Sequence, residues 1–280
     1  MAQNAFILLT HVWNEAIEFK FNRIRSELSK ICDCFILFDT SNNDIVLNLN
    51  SKYVHKFSAD EIENELGYNC FEKGRISPGS GILPIINFSK NNKYLHYWVM
   101  EYDFEFTGDF KLLVNSIINE QVDLAACHFY SYSEQPSWMW WKTIKYSDGS
   151  PREDIRSMFR ALFPIFRISN TSLKLLDSKY IDGFLGHYEG LVPTLLKSNN
   201  LICIDFKDVT SFYNCNHSGL ISNSTIRASP SIDMSILKDN FKENTFYHPI
   251  KELCAFDSIH NKFIFFQSQK DCVPRESCFL

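Results

Sequence analysis

The first forty or so residues alternate in a way that few folds can use. Residues 5–9 (AFILL) form a short apolar run, as a buried strand should, and end at the polar pair Thr10-His11. Between residues 14 and 31, Ile17, Phe21, Ile24, Leu28 and Ile31 recur at steps of three and four, the period of an amphipathic helix. A second apolar run, Cys34 to Phe38, stops at Asp39-Thr40-Ser41-Asn42-Asn43. Strand, helix and strand at this spacing make a βαβ unit, so the first two strands are expected to run parallel.

The alternation continues. Tyr53 to Phe57 reads as a strand leading to a helix from Ala59, with Ser58 as its cap and Glu61 as the capping-box partner. Residues 72–81 (EKGRISPGSG) read as a loop and 82–91 as a helix that tolerates Pro84. Tyr94 to Met100 is an apolar, aromatic strand, followed by a helix over 109–120 and a strand over 124–129. An aromatic, irregular stretch over 130–154 precedes a strand at 163–168, a helix at 170–178 capped by Ser169, a helix at 188–198 and a strand at 201–206. Beyond Lys207 the pattern weakens to Ser/Asn-rich loops and one apolar run, Phe263–Phe266. With no repeat or linker, the expectation is one α/β domain over 1–280 with an elaborated C-terminal region.

Bulk composition narrows the class. Hydrophobic residues are 45% of the chain and charged residues 22%, which suits a packed core and excludes a disordered chain. A net charge of −5 gives no reason to expect nucleic acid as a partner. Nine cysteines, without CxxC pairs, suit free thiols in a reducing compartment better than a disulfide framework or a zinc site. The first residues lack a basic n-region and no window approaches a membrane span, so neither a signal peptide nor a transmembrane segment is expected.

The chemistry concentrates after the aromatic strand. Glu101, Asp103 and Glu105 alternate; alternate residues of an extended strand share a face, so Glu101 and Asp103 can point at one spot if the strand continues through them. Neighbouring carboxylates repel unless a cation or proton lies between them, and Mg²⁺ or Mn²⁺ suits such a pair. In open α/β sheets, ligands gather at the carboxyl ends of strands, where this cluster falls. A solvated acidic strand end is the plain alternative. Asp39, ending the second strand, suits a ribose hydroxyl or base edge, or is a turn-forming Asp. Thr10 and His11 close the first strand and could line the same crevice. Arg75, in the Gly/Pro-rich loop, could reach a diphosphate with its planar fork or be a solvated loop charge; the loop lacks a Walker pattern.

Trp138, Trp140 and Trp141 offer flat surfaces for sugar rings; at least two of them read as core and the third as exposed. In Gly186-His187-Tyr188-Glu189, which opens a helix, Glu189 is either a helix-stabilising acid or a general base. His248, in Tyr247-His248-Pro249, is a candidate third metal ligand.

Taken in order, these pieces resemble a known family. A first strand ending in Thr10-His11, a second ending in Asp39 and the segment HYWVMEYDFEFTGDF resemble the GT-A glycosyltransferases, with Glu101-Tyr102-Asp103 in the place of their DxD motif. The segments PSWMWWK, LFPIFRIS, GHYEGLVPT and FYHPIK are similar to bacterial glycosyltransferase-like proteins associated with surface polysaccharide. The resemblance implies a GT-A-like (Rossmann-like) mixed, mostly parallel sheet flanked by helices, with a nucleotide-binding part over about 1–130 and an acceptor-side part over about 131–280. It implies an enzyme of the hexosyltransferase type, using Mn²⁺ or Mg²⁺ held by Asp103, Glu101 and His248. The donor would be a nucleoside-diphosphate sugar, a UDP-sugar by preference, with Thr10, His11, Asp39 and Arg75 on the nucleotide side. Glu189 would be the catalytic base if the enzyme inverts, or would position the acceptor if it retains configuration, and Trp138, Trp140, Trp141 and His187 would shape the side of a glycan or lipid-linked glycan acceptor. The setting implied is cytoplasmic, with room for peripheral association at the inner face of the membrane. Glu101 departs from the motif, which has Asp there. Two other readings compete: a metal-dependent phosphoesterase or nucleotidyltransferase, and a non-catalytic carbohydrate-binding protein on the same scaffold.

Overall fold

A computed structural model of the chain describes residues 3–41, 51–68, 79–118, 120–146, 148, 150, 154–213, 224–251 and 253–267. Its centre is a seven-stranded sheet. Strand β1 (Asn4–Thr10) is followed by helix α1 (Glu15–Leu28) and β2 (Cys32–Asp39), then β3 (Val54–Phe57), α2 (Ala59–Leu66), α3 (Leu83–Asn91) and β4 (His96–Glu101). A short β5 (Glu105–Phe106) and α4 (Phe110–Ser116) lead to β6 (Leu124–Ser131), β7 (Phe159–Ser169), α5 (Asn170–Ile181), α6 (Tyr188–Ser198) and β8 (Cys203–Asp205). The C-terminal part adds α7 (Met234–Asp239), β9 (Phe246–Tyr247), β10 (Cys254–Asp257) and β11 (Lys262–Phe265).

The strand order is β3-β2-β1-β4-β7-β6-β8. β1 pairs parallel with both β2 and β4, β2 with β3, and β6 with β8; β7 alone runs antiparallel, to β4 and β6. The alternating runs predicted the parallel β1–β2 pair, and the resemblance implied the mixed, mostly parallel sheet; both are seen. Each central strand is apolar on both faces because each face is covered. Ile7, Leu9, Tyr97 and Val99 pack toward α3, α5 and α6, whereas Phe6, Leu8, Trp98 and Met100 pack toward α1 and α4. A third, smaller core lies between α7 and the β10–β11 hairpin.

Local signals held where chemistry was local. Asn14 caps α1 through a hydrogen bond from the Ile17 amide (3.0 Å). Ser58 and Glu61 form the expected capping box, and Ser169 caps α5. Boundaries moved where the chain must turn or pair. α1 stops at Leu28, short of Ile31, because the chain reverses there into β2. α4 stops at Ser116, and β7 extends from 163–168 to 159–169 by pairing with both neighbours. The five cysteines among the described residues are buried and free, as the composition suggested. No helix among the described residues is long and apolar enough to cross a membrane.

Candidate functional site

The sheet order reverses at β1, which has β2 on one side and β4 on the other. A crevice outside the carboxyl ends of strands at such a switch point is where open α/β sheets bind ligands. A cleft lies there, lined by Thr10, Asp39, Phe57, Pro84, Glu101 and Asp103 among others.

Glu101 is the last residue of β4, and the chain then turns instead of continuing as a strand, with the Phe104 amide donating to the Glu101 carbonyl (3.1 Å). Glu101 and Asp103 therefore meet through a turn, not through strand alternation. Glu105 lies apart from this pair. Its side chain is 1% exposed and pairs with Arg23 (3.1 Å) and Lys20 (3.7 Å) beneath the turn.

His248 reaches the same point from far along the chain. β9 pairs antiparallel with β5, Glu105 opposite Tyr247, which sets the residue after Tyr247 beside the turn. The Ile250 amide then donates to the Asp103 carbonyl (2.7 Å). His248 Nε2 lies 3.5 Å from Glu101 Oε2 and 3.4 Å from Asp103 Oδ1, and one ligand atom from each of the three residues falls within 4.8 Å of the others. Nδ1 of His248 is committed to the Arg227 carbonyl (2.7 Å), which directs Nε2 at the carboxylates. Two carboxylates around one nitrogen call for a cation. Burial pushes the His248 imidazole down, but Asp103 and then Glu101 outweigh it and raise its pKa to about 10, so a proton serves when no metal does. Asp103 is pushed up by burial yet held well below the usual carboxylate range by His248 and Lys251. The donor set, two carboxylate oxygens and one oriented imidazole, fits a divalent ion such as Mn²⁺ or Mg²⁺.

Lys251, which the sequence did not single out, donates to Asp103 Oδ2 (2.5 Å) and is 45% exposed. It sits over the Tyr102 ring. Its only sequence signal was membership of the segment FYHPIK.

Around this centre the expected residues divide. Thr10 lines the cleft, with its hydroxyl turned back to donate to the Val12 carbonyl (2.7 Å). Asp39 is the turn-forming Asp, with Oδ1 accepting from the Ser41 amide (2.8 Å), and it also lines the cleft. His11 packs edge-on against Tyr102 at 4.9 Å. Arg75 lies outside the described residues.

On the far side, the start of α6 brings His187, Tyr188 and Glu189 toward the Glu101–Asp103 turn. The Tyr188 hydroxyl points at Glu101 Oε1 (3.4 Å), and its ring lies on Phe163. Glu189, whose side chain is 14% exposed, is raised to about 7 by burial, with Arg160 opposing and Glu101 adding to the rise. His187 Nδ1 is 4.0 Å from Glu189 but burial lowers that imidazole to about 4, so the two form no ion pair at neutral pH. Arg160, another residue the sequence left unmarked, is buried with its guanidinium over the Trp138 ring.

Of the three tryptophans, Trp141 alone is core, at 2% exposed. Trp138 and Trp140 are half-buried, so the expectation of two core tryptophans is corrected. The reason is the packing of α6. Trp140 stacks on His187 (5.0 Å), and Trp138 lies against Gly190, where a Cβ would come within 2.8 Å of the indole and 2.9 Å of Ile144. An alanine in a solvent-facing helical position gains about 1 kcal/mol over glycine. Here overpacking of about 1–3 kcal/mol opposes that gain. Gly190→Ala is thus expected to lower the denaturant midpoint and shift tryptophan fluorescence; a stabilised protein with unchanged fluorescence would contradict this packing.

No protein-family model matches the chain, and no curated protein matches it. Among solved structures, it is similar to a protein assigned as a glucose-1-phosphate thymidylyltransferase from Bacillus anthracis, with TM-score 0.39 and 13% identity over 72% of this chain and 86% of that one. It is also similar to a CMP:2-keto-3-deoxy-manno-octonic acid synthetase complexed with CTP, with TM-score 0.36 and 10% identity over 73% of this chain and 90% of the other. The α/β class itself rests on the strand order and register described above.

Proposed function

We propose that the protein is a metal-dependent enzyme of nucleotide-sugar chemistry, transferring a sugar from a nucleoside-diphosphate donor to an acceptor hydroxyl. The observation that carries the reading is the convergence of Glu101, Asp103 and His248 at the switch-point cleft, with His248 oriented by its second nitrogen. A divalent ion held by these three would supply positive charge to the donor diphosphate. The remaining roles belong to the chain. Asp39 and Thr10 line the part of the cleft suited to a nucleoside. Lys251, close to half exposed, can turn from Asp103 to a phosphate oxygen once the carboxylate charge is otherwise matched. Glu189, poised near neutrality, can take the proton of the acceptor hydroxyl. Trp138, Trp140 and His187 form an aromatic wall beside it, suited to the apolar face of an acceptor sugar. Met139, 73% exposed between the two half-buried tryptophans, gives that wall an apolar rim compatible with a lipid-linked glycan at a membrane surface.

The wall and Glu189 favour sugar transfer over nucleotide transfer. A panel of nucleotide sugars, with and without Mn²⁺, tests the reading by thermal shift and product analysis. Metal-dependent stabilisation by at least one donor, with release of the nucleoside diphosphate, is expected. Pyrophosphate release from a nucleoside triphosphate and a sugar 1-phosphate, with no donor turnover, would replace it by the nucleotidyltransferase reading. Glycan binding without metal-dependent nucleotide binding would replace it by the carbohydrate-binding one.

A further inference from the structure

Lys20 lies within α1 and is 2% exposed. Its ammonium donates to the carbonyls of Tyr102 (2.8 Å) and Phe104 (2.6 Å), with Glu105 Oε2 at 3.7 Å. These two carbonyls flank Asp103. The carbonyl of Asp103 itself accepts from the Ile250 amide, and that of Glu101 from the Phe104 amide. Four successive carbonyls of the ligand-bearing turn are thereby engaged, two of them by a single side chain.

Burying an ammonium is costly, and a hydrophobic side chain between α1 and the sheet would avoid that cost. The gain is placement. The peptide plane before Asp103 is held by Lys20 and the one after it by Ile250, so the direction in which the Asp103 carboxylate leaves the backbone is set from both sides. Arg23 extends the same device, donating to Glu105 Oε1 (3.1 Å) and the Phe106 carbonyl (2.9 Å), while Glu105 Oε2 takes the Phe256 amide (3.2 Å). Glu105, the third alternating carboxylate, is the counter-ion of this device.

We propose that Lys20 is a positioning residue for the metal site, acting on Asp103 through the Tyr102 and Phe104 carbonyls; this rests on the metal-binding reading of Glu101, Asp103 and His248. Groups that orient metal ligands typically change metal affinity by about 10–100-fold when removed. The test is Mn²⁺ binding by the full chain, read from the resonance of the free aqueous ion, in the wild type, Lys20→Met and Lys20→Arg. Lys20→Met is expected to weaken Mn²⁺ binding by about 10–100-fold, and Lys20→Arg, which can still donate to two carbonyls, to recover most of it. A folded Lys20→Met that binds Mn²⁺ as tightly as the wild type, even with a lower melting temperature in chelator, would overturn the proposal, because a merely structural tie moves stability alone. If Lys20→Met does not fold, Lys20→Met/Glu105→Gln removes the carboxylate charge that Lys20 shared with Arg23 and takes the same measurement. A wild type that does not bind Mn²⁺ would remove the metal reading itself, an outcome distinct from equal binding by wild type and variant.

Discussion

Asp103→Asn is expected to abolish Mn²⁺ binding and to cut donor turnover by about 10³-fold or more, the equivalent of roughly 4 kcal/mol of lost charge stabilisation. The size follows from the position of this carboxylate. It is 4% exposed, faces His248 Nε2 at 3.4 Å and lies at the floor of the cleft. The fold should survive the change. Lys251 loses a partner but is 45% exposed and can be solvated, and His248 can release a proton instead of standing as a buried unpaired cation. Circular dichroism should therefore be unchanged while metal binding is lost. A folded Asp103→Asn with wild-type turnover would sink the proposed function.

The second large effect is expected at Glu189. Glu189→Gln keeps the shape but cannot accept a proton, and loss of a general base costs about 10²–10⁴-fold in turnover. Donor binding should be retained. In the wild type the base must be ionised, so kcat/KM should rise with pH up to about 7, where Glu189 titrates, and level off above it. That limb should vanish in the glutamine variant. Stability should move the opposite way. A carboxyl raised from 4.5 to about 7 on folding holds its proton more tightly in the native state, so the folded state loses stability as pH climbs from 4.5 through 7. Glu189→Gln removes that loss and should be more stable at pH 8, by up to about 3 kcal/mol in metal-free protein. Equal pH–rate profiles for the two proteins would remove Glu189 from the chemistry.

How much of this was legible in the chain depends on the distance over which each feature is decided. The capping box of Ser58 and Glu61 spans three residues and was readable from those residues alone. The α6 boundaries at 188 and 198 were likewise readable from local apolar spacing. The pairing of β7 was not, because whether Phe159–Leu162 extends a strand depends on β6 being alongside. The turn made by Asp39 was readable from DTSNN, whereas its place on the cleft wall depends on β1 and β4 lying alongside β2. The tryptophan cluster was misjudged because burial of Trp138 is set by Gly190 and Arg160, neither of them near it in sequence.

The same division runs through the carboxylate cluster. The chain by itself determined that a buried aromatic strand would end at Glu101 with a second acid two residues on, because strand length and polarity are local properties. It put Glu101 and Asp103 together as the candidate metal pair but left Glu105, the third alternating acid, without a role. The tertiary structure decided that. β4 stops and turns, so Asp103 faces the cleft with His248 while Glu105 is drawn under the turn to Lys20 and Arg23. Those partners come from α1 and from the residue just past the strand opposite β5, and only packing brings them within reach of the electrostatics that separate one carboxylate from the other.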